Sequence, residues 1–569
     1  MRLYIFTLLF IMISWVSYAQ TGNRTAAYEF NKKLGRGMNF MGSKINGGFH
    51  HPYDFELLRI NHFTHIRIGS RLWDNVGPAP NYTINAAKLA SYKNAVDWAL
   101  NENLLVIVDP IHAWDTYNDV DSTKLYKLWE QLASTFASYP KDKVAFEIIN
   151  EPRNNNLNLK NMIKACLSRI RAVAGNQERI VIVSGQGFPT RVALINAFNN
   201  NTFPANDDYL IGTFHFYDPK PFTKQGHFNN GVVNWADNGD NDPEWNDVPT
   251  KFQEVQTADS NWAVSHNTDP IPIYNGEYGV DNAAPQIDRA RWLWWVRTIS
   301  EKMGFSNAIW NMYGSSPSSK GIGPWTTLEK NNPTSRTLNQ KILIPYHSRY
   351  ESENAHSSTG NFSPENYNYS SGFLVLKSLG GSAGDIVIYD SINIFKSGNY
   401  DLTLRYINNG SQNVSLMLIS LNANNQLLDS IELVLPPSTT SWNKITVNLP
   451  FQTGVNNKLH YRLTSSAYSF SMDYFAITYG AYYDNHFPAE SVFLNIEDSY
   501  LGKTENISIF PNPAKDIVKI KGNFKKWELR SLNGQLIKSG NTKTINVQDY
   551  PAGLYFLKVD NKVIKLMIQ

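Results

Sequence analysis

The chain has 569 residues, 42% of them hydrophobic and 13% aromatic, a composition that excludes a disordered protein and allows several folded domains. Its formal net charge of +3 is small and scattered, so there is no electrostatic footprint for nucleic acid, and that partner is set aside. A single cysteine, Cys166, can form neither an internal disulfide nor a thiolate metal cluster, and its apolar setting in "MIKACLSRIRAV" reads as a buried helix position.

In chain order, the first element is "MRLYIFTLLFIMISWVSYAQ". Arg2, an apolar core and the small residues Ser17 and Ala19 read as a secretory leader over residues 1–19, cleaved before Gln20. No later stretch approaches about 18 uninterrupted apolar residues, so no membrane span is expected. From Gly35 to about Ser335 the sequence alternates strand-like apolar runs with segments of helical period. The runs are "GRGMNF", "HFTHIRIG", "LLVIVDP", "VAFEIIN", "RIVIVSG", "YLIGTFHFY", "IPIYNGEYG" and "NAIWNMYG". Amphipathic stretches such as "AAKLASYKNAVDWALNEN" and "STKLYKLWEQLASTFASY" lie between them. Eight such units predict an α/β fold, a (β/α)8 barrel over residues 25–340. No Gly-rich fingerprint follows any strand, so no dinucleotide cofactor is expected.

A barrel of this kind carries its active site at the carboxyl ends of the strands. The polar interruptions of the runs fall at those ends: Arg67 in the second, His112 after the third, Asn150 and Glu151 in the fourth, His215 and Tyr217 in the sixth, Glu277 in the seventh and Trp310 in the eighth. "IINEP" thus delivers a carboxylate to the barrel mouth, where Pro152 turns the chain. Two carboxylates facing each other across a cleft suit glycosidic cleavage, which needs a proton on the leaving oxygen and a second carboxylate below the sugar. Arg67 favours the charged form of the nearer one, and their proximity raises the pKa of the other.

These residues resemble glycoside hydrolase family five, in its retaining clan, over about Asn31 to Ser335. The resemblance implies that Glu151 is the acid/base and Glu277 the nucleophile, with Asn150 on the sugar 2-hydroxyl, Tyr217 and Arg67 positioning Glu277, and Trp310 a stacking floor. His112 and His215 complete the implied substrate contacts. No cofactor is implied for catalysis. The implied activity is that of a secreted retaining endo-β-1,4-glucanase acting on a β-linked polysaccharide. A xyloglucanase or β-mannanase of the same fold, or a non-catalytic polysaccharide-binding surface protein, are the alternatives. The loop "NNGVVNWADNGDNDPEWNDVP" leaves two readings, a metal site or a cleft rim lined by Trp235 and Trp245, and its spacing is not that of a calcium loop.

From Tyr350 helical periodicity gives way to short alternating runs such as "GDIVIYDSINIF" and "NKITVNLPF", which predict a β-sandwich over residues 348–481. "YESENA", "SGNYDLTLRY" and "MDYFAI" are similar to carbohydrate-binding modules of families six and thirty-five. That resemblance implies a structural calcium on Glu351, Glu353 and Asp473, for which oxygen ligands are suited. Tyr389 and Trp442 are the candidate sugar contacts, with a core position as the alternative for each. A polar linker, 482–504, precedes a last small β-sandwich at 505–569, marked by "NG" and "AG" turns. Its "FPNPAKD", "NGQLI" and "AGLYFLKV" resemble the C-terminal sorting domain of type IX secretion, whose machinery is the implied partner and which places the protein outside the cell or on its surface.

Overall fold

The computed structural model describes residues 24–40, 51–112, 122–152, 158–228, 231–312, 328–330, 337–359, 363–366, 374–379, 382–438, 442–464, 470–479, 508–510, 514–522, 524–531, 536–551, 553–560 and 562–568. The leader and the linker expected from the sequence lie outside them.

In chain order the first part runs α1 (Thr25–Leu34), β1 (Arg36–Phe40), α2 (Pro52–Ile60), β2 (His65–Gly69), α3 (Ala86–Asn101), β3 (Leu105–Asp109), α4 (Ser122–Thr135), β4 (Val144–Glu147), α5 (Leu159–Ala172), β5 (Val181–Ser184), α6 (Arg191–Asn199) and β6 (Leu210–Phe216). It continues through two single turns, α7 (Lys220–Thr223) and α8 (Gln225–Phe228), to α9 (Asp247–His266), β7 (Ile273–Tyr278), α10 (Gln286–Lys302), β8 (Ser306–Ile309) and α11 (Gln340–His347). The eight strands form a closed barrel in sequence order, parallel throughout, with β1 pairing both β2 and β8. The expected (β/α)8 barrel is therefore the observed one.

Each strand is buried on both faces, as its continuous apolar run requires. Leu105 and Ile107 of β3, Ile182 of β5, Ile211 of β6 and Tyr274 of β7 point into the barrel, where they cluster with Ala27, Phe30 and Leu34 of α1. Helix α1 thus closes the amino-terminal end. The alternate residues, Val106, Val108, Val181 and Val183, face the helical ring. Helix starts carry side-chain caps: Asn85 accepts from Lys88 N, Asn158 from Asn161 N, and Thr190 from Ala193 N. Cys166 is fully buried in α5, where burial pushes its thiol up, in keeping with an inert core residue.

Two antiparallel sheets follow. One has the order Ser363–Asn366, Leu374–Leu379, Phe470–Tyr479, Gly398–Asn408, Asn443–Phe451, with Arg349–Glu351 also paired to Phe470–Tyr479. The other runs Ser357–Ser358, Ile386–Ile394, Gly454–Leu463, Val414–Leu421, Leu427–Leu435. Strict alternation along Val414–Leu421, buried at every second residue, shows how period-two patterning seats a sheet on a core. A three-stranded and a four-stranded sheet over 508–568 make a further unit with its own core around Val518, Trp527, Leu529, Leu557 and Leu566. It meets the barrel at Lys558 Nζ, 3.2 Å from Glu56 Oε2, and at Arg530, 4.3 Å over the Tyr53 ring. Among the described residues no helix is long and apolar enough to cross a membrane.

Candidate active site

Parallel register sets Asn39 of β1 beside Arg67 of β2, and a register shift between Phe214 and His215 brings His215 beside Glu277 on β7. Such irregularities re-aim side chains at barrel rims. Two glycines of "NGEYG" permit close approach: a Cβ at Gly276 would lie 2.6 Å from Thr213 Oγ1, and one at Gly279 only 2.3 Å from the Trp310 carbonyl oxygen.

Arg67, fully buried, is the hub. Its Nε and Nη2 donate to both oxygens of Glu147, at 2.6 and 2.8 Å. Nη1 donates to Asn39 Oδ1 (3.0 Å) and Glu277 Oε1 (2.9 Å), and Nη2 also donates to Asn150 Oδ1 (2.6 Å). Asp109 Oδ2 lies 3.1 Å from Nη2 and 2.6 Å from His112 Nδ1. Burial disfavours each charge here; at Arg67, Asp109 and His112 the neighbours outweigh it, whereas at Glu147 burial wins over Arg67 and raises the carboxyl above its ordinary value. Glu147 and Asp109 hold the guanidinium proton well above its ordinary range, Arg67 and His112 hold Asp109 below the usual carboxylate range, and Asp109 raises His112.

Glu277 is held on both oxygens. Arg67 donates to Oε1, and the Tyr217 hydroxyl donates to Oε2 at 2.9 Å. Burial and the adjacent Glu277 push the Tyr217 phenol well up, so it keeps its proton and remains a donor. His215 Nδ1 lies 3.1 Å from Glu151 Oε1 and 3.4 Å from Glu277 Oε2. One oxygen of Glu151, one of Glu277 and a His215 ring nitrogen all lie within 4.8 Å of one another. That spacing also meets the requirement of a metal site, but Arg67 already supplies the cation at Glu277. Trp310 stacks on His112, ring centroids 5.2 Å apart and planes 4° apart, and packs against Tyr217.

All eight barrel residues singled out from the sequence therefore converge at one mouth. Asp109 and Glu147 were missed, although each is a charge standing inside an apolar run, the same signal that marks Glu151 and Glu277. Other expectations are corrected. Trp235 and Trp245 do not line a rim: they are 0% and 2% exposed and pack edge-on at 5.1 Å, because Trp294 and Trp295 of α10 cover Trp245. Tyr389 is 4% exposed, donates its hydroxyl to Ser352 O and packs on Phe475, so it is core and not a sugar face. Trp442 is half-buried with the Arg405 guanidinium 4.7 Å over its ring. Two of the three residues implied as calcium ligands, Glu351 and Asp473, have cationic or imidazole neighbours. Asp473 pairs with Arg405, and Glu351 Oε1 lies 2.9 Å from Arg349 Nε and 3.3 Å from His62 Nε2.

Residues 32–316 match the family model described as Cellulase (glycosyl hydrolase family 5), and the chain belongs to that family. Residues 508–569 match a secretion system C-terminal sorting domain, which indicates export by the type IX route. The chain is similar to Endoglucanase H of Acetivibrio thermocellus, 28% identical over 347 residues, 58% of this chain and 35% of that protein. It is also similar to Endoglucanase B of Neocallimastix patriciarum, 29% identical over 274 residues, 44% of this chain and 53% of that protein. The match thus spans about a third to a half of these relatives. Among solved structures, a hyperthermophilic endo-beta-1,4-glucanase in complex with substrate has 27% identity and a TM-score of 0.47, over 56% of this chain and 98% of that one.

Proposed function

We propose that the protein is an exported, retaining endo-β-1,4-glucanase that hydrolyses a plant β-glucan by double displacement. The observation that carries this reading is the close approach of Glu151, just after β4, and Glu277 of β7, one oxygen of each lying within 4.8 Å of the other. Retaining enzymes hold the two groups about 5–5.5 Å apart, whereas inverting enzymes leave roughly 6.5–9.5 Å for a water. Family membership and relatives named endoglucanase support the substrate class.

In the first step Glu277 attacks the anomeric carbon while Glu151 gives its proton to the leaving glycosidic oxygen. In the second step Glu151 takes a proton from water, the resulting hydroxide attacks the same carbon, and the bond to Glu277 breaks. Two donors hold Glu277 aimed, and His215 orients Glu151 through its Nδ1 contact. Asn150 commits its carbonyl oxygen to Arg67, which turns its amide group toward the sugar 2-hydroxyl. Trp310 Nε1 is buried without a hydrogen-bond partner among the described residues and is a donor for a substrate hydroxyl. The mechanism needs no cofactor. Export takes the chain through the leader and then the type IX machinery, to the cell surface or the medium.

Early-time proton NMR of the reducing ends released from a β-glucan tests the reading. The β-anomer is expected first, before mutarotation. Initial release of the α-anomer overturns retention, and absence of hydrolysis across β-glucans, xyloglucan and mannan favours the non-catalytic alternative.

A further inference from the structure

The large sandwich and the barrel share one continuous hydrophobic cluster. On α10, Trp294 and Trp295 meet Tyr479 at ring-centroid distances of 6.1 and 5.8 Å, and Trp294 meets Phe395 at 5.6 Å. Lys302 Nζ, also on α10, sits 4.4 Å over the Tyr479 ring. Next to this apolar seam lies a polar one, centred on Asp240 in the segment that joins β6 to α9. Asp240 Oδ1 accepts from Ser397 N (2.7 Å) and Thr453 Oγ1 (2.6 Å), while its carbonyl oxygen accepts from Lys396 Nζ (2.6 Å). The same ammonium lies 4.8 Å over the Trp245 ring. Burial pushes the Asp240 carboxyl up, but these donors outweigh it and hold it below the usual carboxylate range.

The segment is tied equally well on its barrel side. Trp245 Nε1 donates to Gly239 O (2.9 Å), Trp295 Nε1 to Trp245 O (3.0 Å), and Arg291 Nη1 to Trp235 O (2.8 Å). At its start Trp292 Nε1 donates to Asp218 O (3.2 Å), next to Tyr217, the donor to Glu277.

We propose that the sandwich is a built-in brace of the barrel: through Asp240, Phe395 and Tyr479 it clamps the β6–α9 segment against α10, and the two parts unfold as one unit. Asp240, from an acidic loop that reads as a metal or rim segment, is the peg of this clamp, and the sandwich's end aromatics are its seat.

Native-state hydrogen exchange with mass spectrometry, on the full chain across a denaturant series, tests the brace without any activity readout. Amides of Phe470–Tyr479 and of α10 are expected to lose protection at the same denaturant concentration. Asp240→Ala is expected to speed exchange in residues 231–246 at least about tenfold with β4 unchanged, because two hydrogen bonds to an ionised acceptor are lost. Thr453 is exposed, so Thr453→Val folds irrespective of the first variant, and it is expected to speed exchange in the same segment at least about threefold. Loss of protection in the sandwich well before α10, or unchanged exchange of residues 231–246 in Thr453→Val, overturns the proposal.

Discussion

Glu147→Gln is the sharpest probe of how the catalytic mouth is held. Both Glu147 oxygens accept from Arg67, at 2.6 and 2.8 Å, with neither side chain exposed. Glutamine keeps one acceptor and turns the other into an NH2 that faces a guanidinium with donors only. One hydrogen bond to a charged group is lost, about 1.5–3 kcal/mol, and a buried donor is left without an acceptor, about 1–3 kcal/mol. Breaking a buried pair outright costs about 3–5 kcal/mol, so a loss of about 3 kcal/mol is expected. Urea denaturation followed by tryptophan fluorescence should show a lower midpoint with unchanged slope. Arg67 also holds Glu277 and Asn150, so a loosened hub misplaces the proposed nucleophile. On a β-glucan, kcat should therefore fall about tenfold or more, about 1.4 kcal/mol of barrel-mouth positioning, while KM changes little because Arg67 touches protein groups only. A variant that unfolds at the wild-type midpoint with wild-type kcat would refute the hub, and would mean that Asp109 and Asn39 suffice to hold Arg67.

Glu277→Gln should fold and retain the polymer yet lose turnover by about 10⁴ or more, because an amide cannot attack the anomeric carbon; near wild-type rates would remove it as nucleophile. Glu151→Ala should keep more activity on an aryl glycoside with a good leaving group than on the polymer, since such a group needs little protonation, and equal losses on both would argue against its role as acid. His112→Asn should destabilise most between about pH 4 and 6.5. His112, raised from 6.5, contributes fully below that pH and loses its share as pH rises through the raised value, while Asp109, lowered from 3.8, contributes above that pH and loses its share as pH falls through the lowered value. Melting temperatures of both proteins from pH 4 to 9 that differed by a constant amount would contradict this linkage. Truncation after Thr504 should leave hydrolysis in solution intact, since residues 508–568 have their own core, and should stop export beyond the periplasm in the native host; lost specific activity in a folded truncated enzyme would make the tail part of the site.

The barrel was legible because burial on both faces writes parallel strands as unbroken apolar runs, and because the candidate site residues interrupt those runs at the carboxyl ends. By that logic Asp109 in "LLVIVDP" and Glu147 in "VAFEIIN" were equally legible, but they stand at strand ends just before the more conspicuous His112 and Glu151. The aromatics went wrong for a different reason. Whether a tryptophan in a polar loop meets a sugar or a neighbouring helix depends on partners remote in sequence: Trp295 donates to Trp245 O across 50 residues, and Lys396 reaches Asp240 O across 156. Local pattern carries no trace of such a partner. The acidic loop reads as a metal site or a cleft rim because its two tryptophans stand among acids and amides. Once Phe395 and Tyr479 are seated on α10, the same tryptophans are interior residues, and Asp240 changes from a loop acid into the acceptor that joins two folds. The boundary between catalytic domain and appended module, clear as a change of periodicity near Tyr350, is a boundary in secondary structure and not in packing.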